Sequence, residues 1–142
     1  TALAILLPVV AGQSGNAGAQ ALAVTMRGLA LREIRVRQWL AVTRKEINTG
    51  FWNGLAIAVT CSIGVYLWSG SFGLVIVLAA SMVISMVMAG IAGALVPITL
   101  SRLGQDPAVA SSIILTTVTD IAGFFSFLGI ATLLSGMLGP AG

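Results

Sequence analysis

Histidine is missing from the sequence and cysteine occurs once, at Cys61 inside an apolar run. These scarcities exclude a disulfide framework and zinc sites of the usual kinds, so any metal chemistry has to use oxygen ligands. Charge is scarce too: Asp, Glu, Lys and Arg make up 8% of the residues, against about 25% in a soluble domain. Without histidine, without acids paired on one face, and without a serine or cysteine beside a base, nothing resembles a catalytic constellation. The chain is read as a non-enzyme.

What is present is grease. Apolar residues are 58% of the 142 positions and the mean hydropathy is +1.06, which places the chain among integral membrane proteins. An isoelectric point near 10.0 invites a nucleic-acid reading, but the placement of the bases opposes it. Six of the seven fall between Arg27 and Lys45, and the seventh is Arg102. Both groups flank hydrophobic spans, which is the positive-inside pattern rather than a binding face, so no nucleic-acid partner is expected. The sequence opens in apolar residues 2–11 with neither a basic n-region nor a cleavage site, which reads as a fragment.

Hydrophobic length predicts four membrane-spanning helices, over residues 2–29, 47–68, 72–100 and 107–138, forming an all-α polytopic helical bundle in the lipid bilayer. Residues 27–46 carry most of the charge with Trp39 among them, which suits a short interfacial helix. The connector 69–71 is short enough to require a tight hairpin of antiparallel helices. Tyr66 and Trp68 mark the outer interface there. Asp106 before Pro107 reads as an N-cap with proline at the first helical position. Met82, Met86 and Met88 read as adaptable packing, since thioethers suit soft metals and lack thiol or imidazole company here. Gly90 and Gly93 mark a close helix crossing. Loops 30–46 and 101–107 are assigned to the cytoplasmic side of an inner (plasma) membrane, with the hairpin 69–71 and the C-terminus outside.

Two polar features interrupt this pattern. Asp120 lies 13 residues past Pro107, about 20 Å along a helix rising ~1.5 Å per residue, close to the middle of a ~30 Å hydrocarbon core. An acid at that depth costs at least ~2.5 kcal/mol and is a functional-site hypothesis by default. Ser112, Thr116, Asp120 and Gly123 follow at helical intervals and predict one stripe of hydroxyls, carboxylate and bare backbone. Thr117 and Thr119 lie off it and are expected to bond their own backbone. The other feature is the first span, where Gln13, Asn16 and Gln20 share a face and Gly12, Gly15 and Gly18 permit close approach. A polar lumen or amide-bonded helix packing both suit that composition, with the lumen favoured. Glu46 stands at a cytoplasmic mouth, either reaching an ion or, as the commoner outcome, pairing with Lys45 or Arg44.

Two stretches carry a resemblance to a known family. Residues 8–20, with the block Gly15-Asn16-Ala17-Gly18-Ala19-Gln20 and then Arg27-Gly28-Leu29-Ala30, form one. Asp106-Pro107-Ala108 leading to Thr119-Asp120-Ile121-Ala122-Gly123 forms the other. In combination and order they resemble the MgtE-type magnesium channels and transporters, over nearly the whole chain, as the last four of that family's five membrane helices. The resemblance implies an absent first membrane helix and, in typical bacterial members, absent cytosolic sensing domains. It also implies a homodimeric pore built on the helices over 2–29 and 107–138. Hydrated Mg²⁺ would sit near Asp120, with backbone carbonyls at Thr116 and Gly123 close by. Where well-known members carry further asparagines, this sequence has Ala19 and Ser112, shorter side chains at positions implied to line the pore.

The resulting expectation is transport of Mg²⁺, or of divalent cations more broadly, through a path lined by Gln13, Asn16, Ala19, Gln20 and Ser112. Mg²⁺ is both the bound and the transported ion, and two copies of Asp120 share it across a two-fold axis. The alternatives are a carrier coupled to Na⁺ or H⁺, or a non-transporting scaffold whose Asp120 pairs with a partner's base.

Overall fold

The computed structural model describes residues 2–135, Ala110 by its backbone alone. Four helices run in order: α1 (Ala2–Ala30), α2 (Trp39–Ser69), α3 (Phe72–Arg102) and α4 (Pro107–Leu133), with a single 3₁₀ turn at Val36–Gln38 before α2. All four are long and apolar enough to cross a membrane. The protein is an all-α, multi-pass membrane bundle, with no strand among the described residues.

Local chemistry sets the ends. Gly70 terminates α2 in the left-handed conformation, φ 65°, and its N–H donates to the Tyr66 carbonyl. Just after it the Ser71 hydroxyl accepts from Leu74 N–H and starts α3, so the expected tight hairpin is present. Asp106 accepts from Ala108 N–H at 3.0 Å and Pro107 follows at the first helical position, as the sequence predicts. Pro8 and Pro97 both lie inside helices assigned without a break. The end of α1 is less regular. Glu33 and Ile34 N–H both donate to the Gly28 carbonyl, Arg32 takes φ 57°, and Ile34 folds over Gly28.

α3 is the central helix. It packs against α1, α2 and α4, and α4 also packs on α1, whereas α1 and α2 barely meet. Met82, Met86, Leu78 and Val77 of α3 fill the core with Val10 of α1 and Phe127 of α4. Met82 and Met86 therefore serve as core packing, while Met88 is exposed. Association between helices in lipid depends on close packing, because lipid tails are as apolar as leucine. Small residues supply it. A Cβ at Gly50 would stand 2.7 Å from the Met86 carbonyl, and one at Gly93 would stand 2.8 Å from the Gly18 carbonyl. The outward face of α2 shows Phe51, Leu55, Val59, Ile63 and Leu67 at four-residue steps, all exposed, as a lipid-facing stripe should be.

Two sequence expectations need correction. The short interfacial helix over 27–46 is absent: α1 continues to Ala30, one 3₁₀ turn follows, and α2 already begins at Trp39 rather than near 47. A 31-residue helix spans about 46 Å at ~1.5 Å per residue, so its first turns extend past a ~30 Å core and carry Arg44, Lys45 and Glu46 without leaving helical geometry. Among the described residues the last helix runs to Leu133. Residues 136–138 and the side assigned to the C-terminus lie outside the described residues.

Candidate functional site

The polar residues fall into two groups that open on different sides of the bundle. On α4, Ser112, Thr116 and Asp120 are all exposed along one outer stripe. Each four-residue step turns a helix only about 40°, which keeps the three together. Gly123 belongs instead to the buried four-residue row of Ser111, Leu115, Thr119 and Phe127 and lies against α1, where a Cβ would stand 3.2 Å from Ala11 Cα. The predicted stripe therefore holds for its first three members and fails at the fourth.

The hydroxyls of this helix mostly bond their own backbone. Thr116 donates to the Ser112 carbonyl at 2.8 Å, and Thr117 to that of Ile113 at 3.0 Å. Thr119 is fully buried and donates to the Thr116 carbonyl at 3.1 Å. That carbonyl is the one the resemblance implies as an ion neighbour. The α1–α4 contact is made by Thr119, Leu115 and Gly123 against Gly18, Ser14 and Ala11. Ser14 donates to the Ala11 carbonyl at 3.0 Å and also reaches that of Thr119 at 3.5 Å. Asp120, one residue on, is left pointing away. The only ion pair among the described residues is Lys45 with Glu46, so Asp120 has no cationic partner there.

The second group lies along the seam between α1 and α2, floored by α3. Because those two helices scarcely touch, a row of hollows separates them. One, of about 270 Å³, is lined by Gln13, Asn16 and Gln20 of α1 and by Asn53 of α2. The next, about 170 Å³, shares Gln20 and Asn53 and adds Lys45, Glu46 and Gly90. A third, about 230 Å³, shares Lys45 and Glu46 and is closed by Thr25, Glu33 and Gln38. The three amides of α1 thus share a polar face as predicted, and within one chain that face lines hollows shared with α2, in whose walls Asp120 has no part. Ala19 and Asn16 are exposed.

Glu46 is buried, its side chain 7% exposed, and its nearest base is Lys45, with Nζ 4.0 Å from Oε1. Of the two bases expected as partners, Lys45 is the one in reach. Asn53, Thr25, Glu33 and Gln38 join this seam although the sequence does not single them out. Asn53 follows Glu46 by seven residues, two helical turns on the same face, so a periodic signal for it existed.

Comparison with known proteins gives concordant matches. Residues 7–130 match the MgtE family, described as a divalent cation transporter. The chain is 37% identical over 134 residues to the magnesium transporter MgtE of Thermus thermophilus, covering 94% of this chain and 30% of that protein. It is 35% identical over 131 residues to the magnesium transporter MgtE of Bacillus subtilis, covering 92% and 29%. Against the magnesium transporter MgtE of Enterococcus faecalis the identity is 33% over 131 residues, again 92% and 29%. The chain therefore spans under a third of the length of these relatives.

Proposed function

This chain belongs to the MgtE family of divalent cation transporters, and on that premise we propose that it forms part of a path for Mg²⁺ across the membrane, with Asp120 as the ion-binding acid. The observation that carries this reading is the position of Asp120: 13 residues into a membrane-spanning helix, exposed, and without a base among the described residues. A carboxylate left against lipid there is costly. It is relieved when a second copy of the chain covers the α4 stripe and a cation lies between the two acids.

A two-fold axis beside α4 would oppose two carboxylates, formal charge −2, to one divalent cation. Mg²⁺ sheds its water reluctantly and takes one or two carboxylates with most waters retained. Two acids ringed by Ser112 and Thr116 suit that demand better than a dehydrating cage. Asn16, with the short side chain of Ala19 near it in sequence, is exposed on α1 and would face the path, and selectivity follows from fitting the hydrated ion. The basic connector between α1 and α2 and Arg102 mark the cytoplasmic end of an inner-membrane protein, with the hairpin 69–71 outside.

The test is divalent cation flux into liposomes for wild type and Asp120→Asn, with Mg²⁺, Mn²⁺, Co²⁺ and Ca²⁺ in competition. Asp120→Asn should insert normally and lose most Mg²⁺ flux. Unchanged flux removes Asp120 from the path. Flux that needs a Na⁺ or H⁺ gradient would mark a coupled carrier, and a stoichiometric partner without flux would mark a scaffold.

A further inference from the structure

Glu46 is not used by the path proposed at Asp120, yet it is the most deeply placed carboxylate of the chain's first half. It stands where two hollows meet, since both the 170 Å³ and the 230 Å³ spaces have Val24, Lys45 and Glu46 in their walls. Its one ion partner among the described residues is weak. The Lys45 ammonium lies at the 4.0 Å limit of an ion pair on a side chain that is 66% exposed. A solvated ammonium at that distance offsets little of the cost of removing a carboxylate from water.

A second observation concerns the wall of the same space. Thr25 is 0% exposed, its Oγ1 has no hydrogen-bond partner among the described residues, and it lines the 230 Å³ hollow with Glu46. A threonine in a helix ordinarily satisfies its hydroxyl on the carbonyl one turn back, as Thr43, Thr60 and Thr116 do here. Leaving one orphaned at a buried position costs about 1 to 3 kcal/mol unless water or a ligand completes it. Amide groups of Gln20 and Asn53 complete the wall on one side of Glu46, and Glu33 and Gln38 on the other. The charged groups lining the two hollows are Glu33, Glu46 and Lys45, one negative charge in excess.

We propose that this junction is a second cation-binding site, contained within a single chain and separate from Asp120, that takes a small hard divalent cation with most of its water in place. No cluster of three or more acidic, histidine or cysteine groups occurs among the described residues, so a stripped ion is not held here. Glu46 supplies the one direct carboxylate oxygen. Waters on the ion donate hydrogen bonds to Thr25 Oγ1 and to the amide oxygens of Gln20 and Asn53, and Lys45 swings to solvent as the ion takes its place. The site lies at the bundle end that carries the basic connector, so it would load cation beside the membrane surface. The inference rests on the transport reading only for which divalent ion occupies the site in the cell.

The test is Mn²⁺ binding to the full-length protein in detergent, followed by electron paramagnetic resonance, in an Asp120→Asn background that removes the other proposed site. Adding Glu46→Gln should weaken one class of bound Mn²⁺ by at least about tenfold, the scale of losing a charged hydrogen-bonding partner. Adding Lys45→Met should tighten that same class, because the competing ammonium is gone, and a folding defect cannot produce tighter binding. Opposite shifts of this kind support the site. Mn²⁺ binding unmoved by either change, or weakened by both, overturns it. Flux through Asp120→Asn is a separate readout, so failure here and failure of the transport reading are told apart.

Discussion

Gly90 of α3 lies directly against the Glu46 carbonyl of α2, so close that a Cβ built on Gly90 would stand 2.7 Å from that oxygen. The contact is backbone on backbone, and neither helix can yield locally. Gly90→Val should therefore push α2 off α3 and destabilise the bundle by about 1 to 3 kcal/mol, the usual cost of overpacking. Thermal unfolding in detergent measures this. Gly64, where a Cβ meets nothing within 4 Å, is the control, and Gly64→Val should change the midpoint little. Equal midpoints for the two variants would show that the α2–α3 contact is looser than described.

The turn after α1 stores strain at Arg32, which takes φ 57°. A non-glycine residue in that region costs about 1 to 2 kcal/mol, of which glycine's greater freedom in the unfolded chain returns about half. Arg32→Gly should raise stability by up to ~1 kcal/mol, and Arg32→Val should lower it because a β-branched side chain fits that region worst. Chemical or thermal unfolding of both decides. A valine variant as stable as the glycine variant contradicts the strain.

Much of this architecture was legible because membrane helices leave few options. A chain with one cysteine, no histidine and long apolar runs has to satisfy its backbone within helices, and the hairpin at Gly70 and the cap at Asp106 are local chemistry that no tertiary contact overrides. The facing of each polar stripe was not legible. Helical spacing puts Gln13, Asn16 and Gln20 on one side of α1, but which helix that side meets depends on α3 lying between α1 and α2. Gly123 shows the same limit from the other direction: its helical angle falls within the Asp120 stripe, yet the row of α4 that packs inward runs at four-residue steps through Thr119, Gly123 and Phe127 and seats Gly123 on Ala11. The start of α2 at Trp39 is not legible either, because Arg44, Lys45 and Glu46 look like an interfacial segment, although helical hydrogen bonding tolerates charge wherever the helix outruns the hydrocarbon.

Asp106 has two possible uses, as the cap of α4 and as an acid near a cytoplasmic mouth, and two substitutions separate them. Its carboxylate accepts from Ala108 N–H at 3.0 Å. Asparagine retains that acceptor, so Asp106→Asn should keep both stability and Mg²⁺ flux, whereas Asp106→Ala should lose about 0.5 to 2 kcal/mol. Unfolding midpoints and proteoliposome flux are the measurements. Flux lost in a stable Asp106→Asn protein would move the carboxylate from the cap to the ion path.

The Asp120 reading requires a second chain to cover the α4 stripe, and this is open to a direct test. Val109, Ile113, Ile121 and Phe125 are exposed on α4 beside Thr116 and Asp120, while α2 exposes an apolar stripe of its own. Composition alone does not choose between them, but the acid does, because only the α4 surface gains by leaving lipid. With Cys61 replaced by serine, Thr116→Cys should cross-link to a dimer with a short bis-maleimide in native membranes, and Val59→Cys on the α2 stripe should not. Mg²⁺ at saturating concentration should change the Thr116 rate, since an ion between the two acids fixes the distance between the stripes. Cross-linking at Val59 in preference to Thr116 would place the dimer contact on α2 and leave Asp120 facing lipid, which a carboxylate at that depth does not sustain.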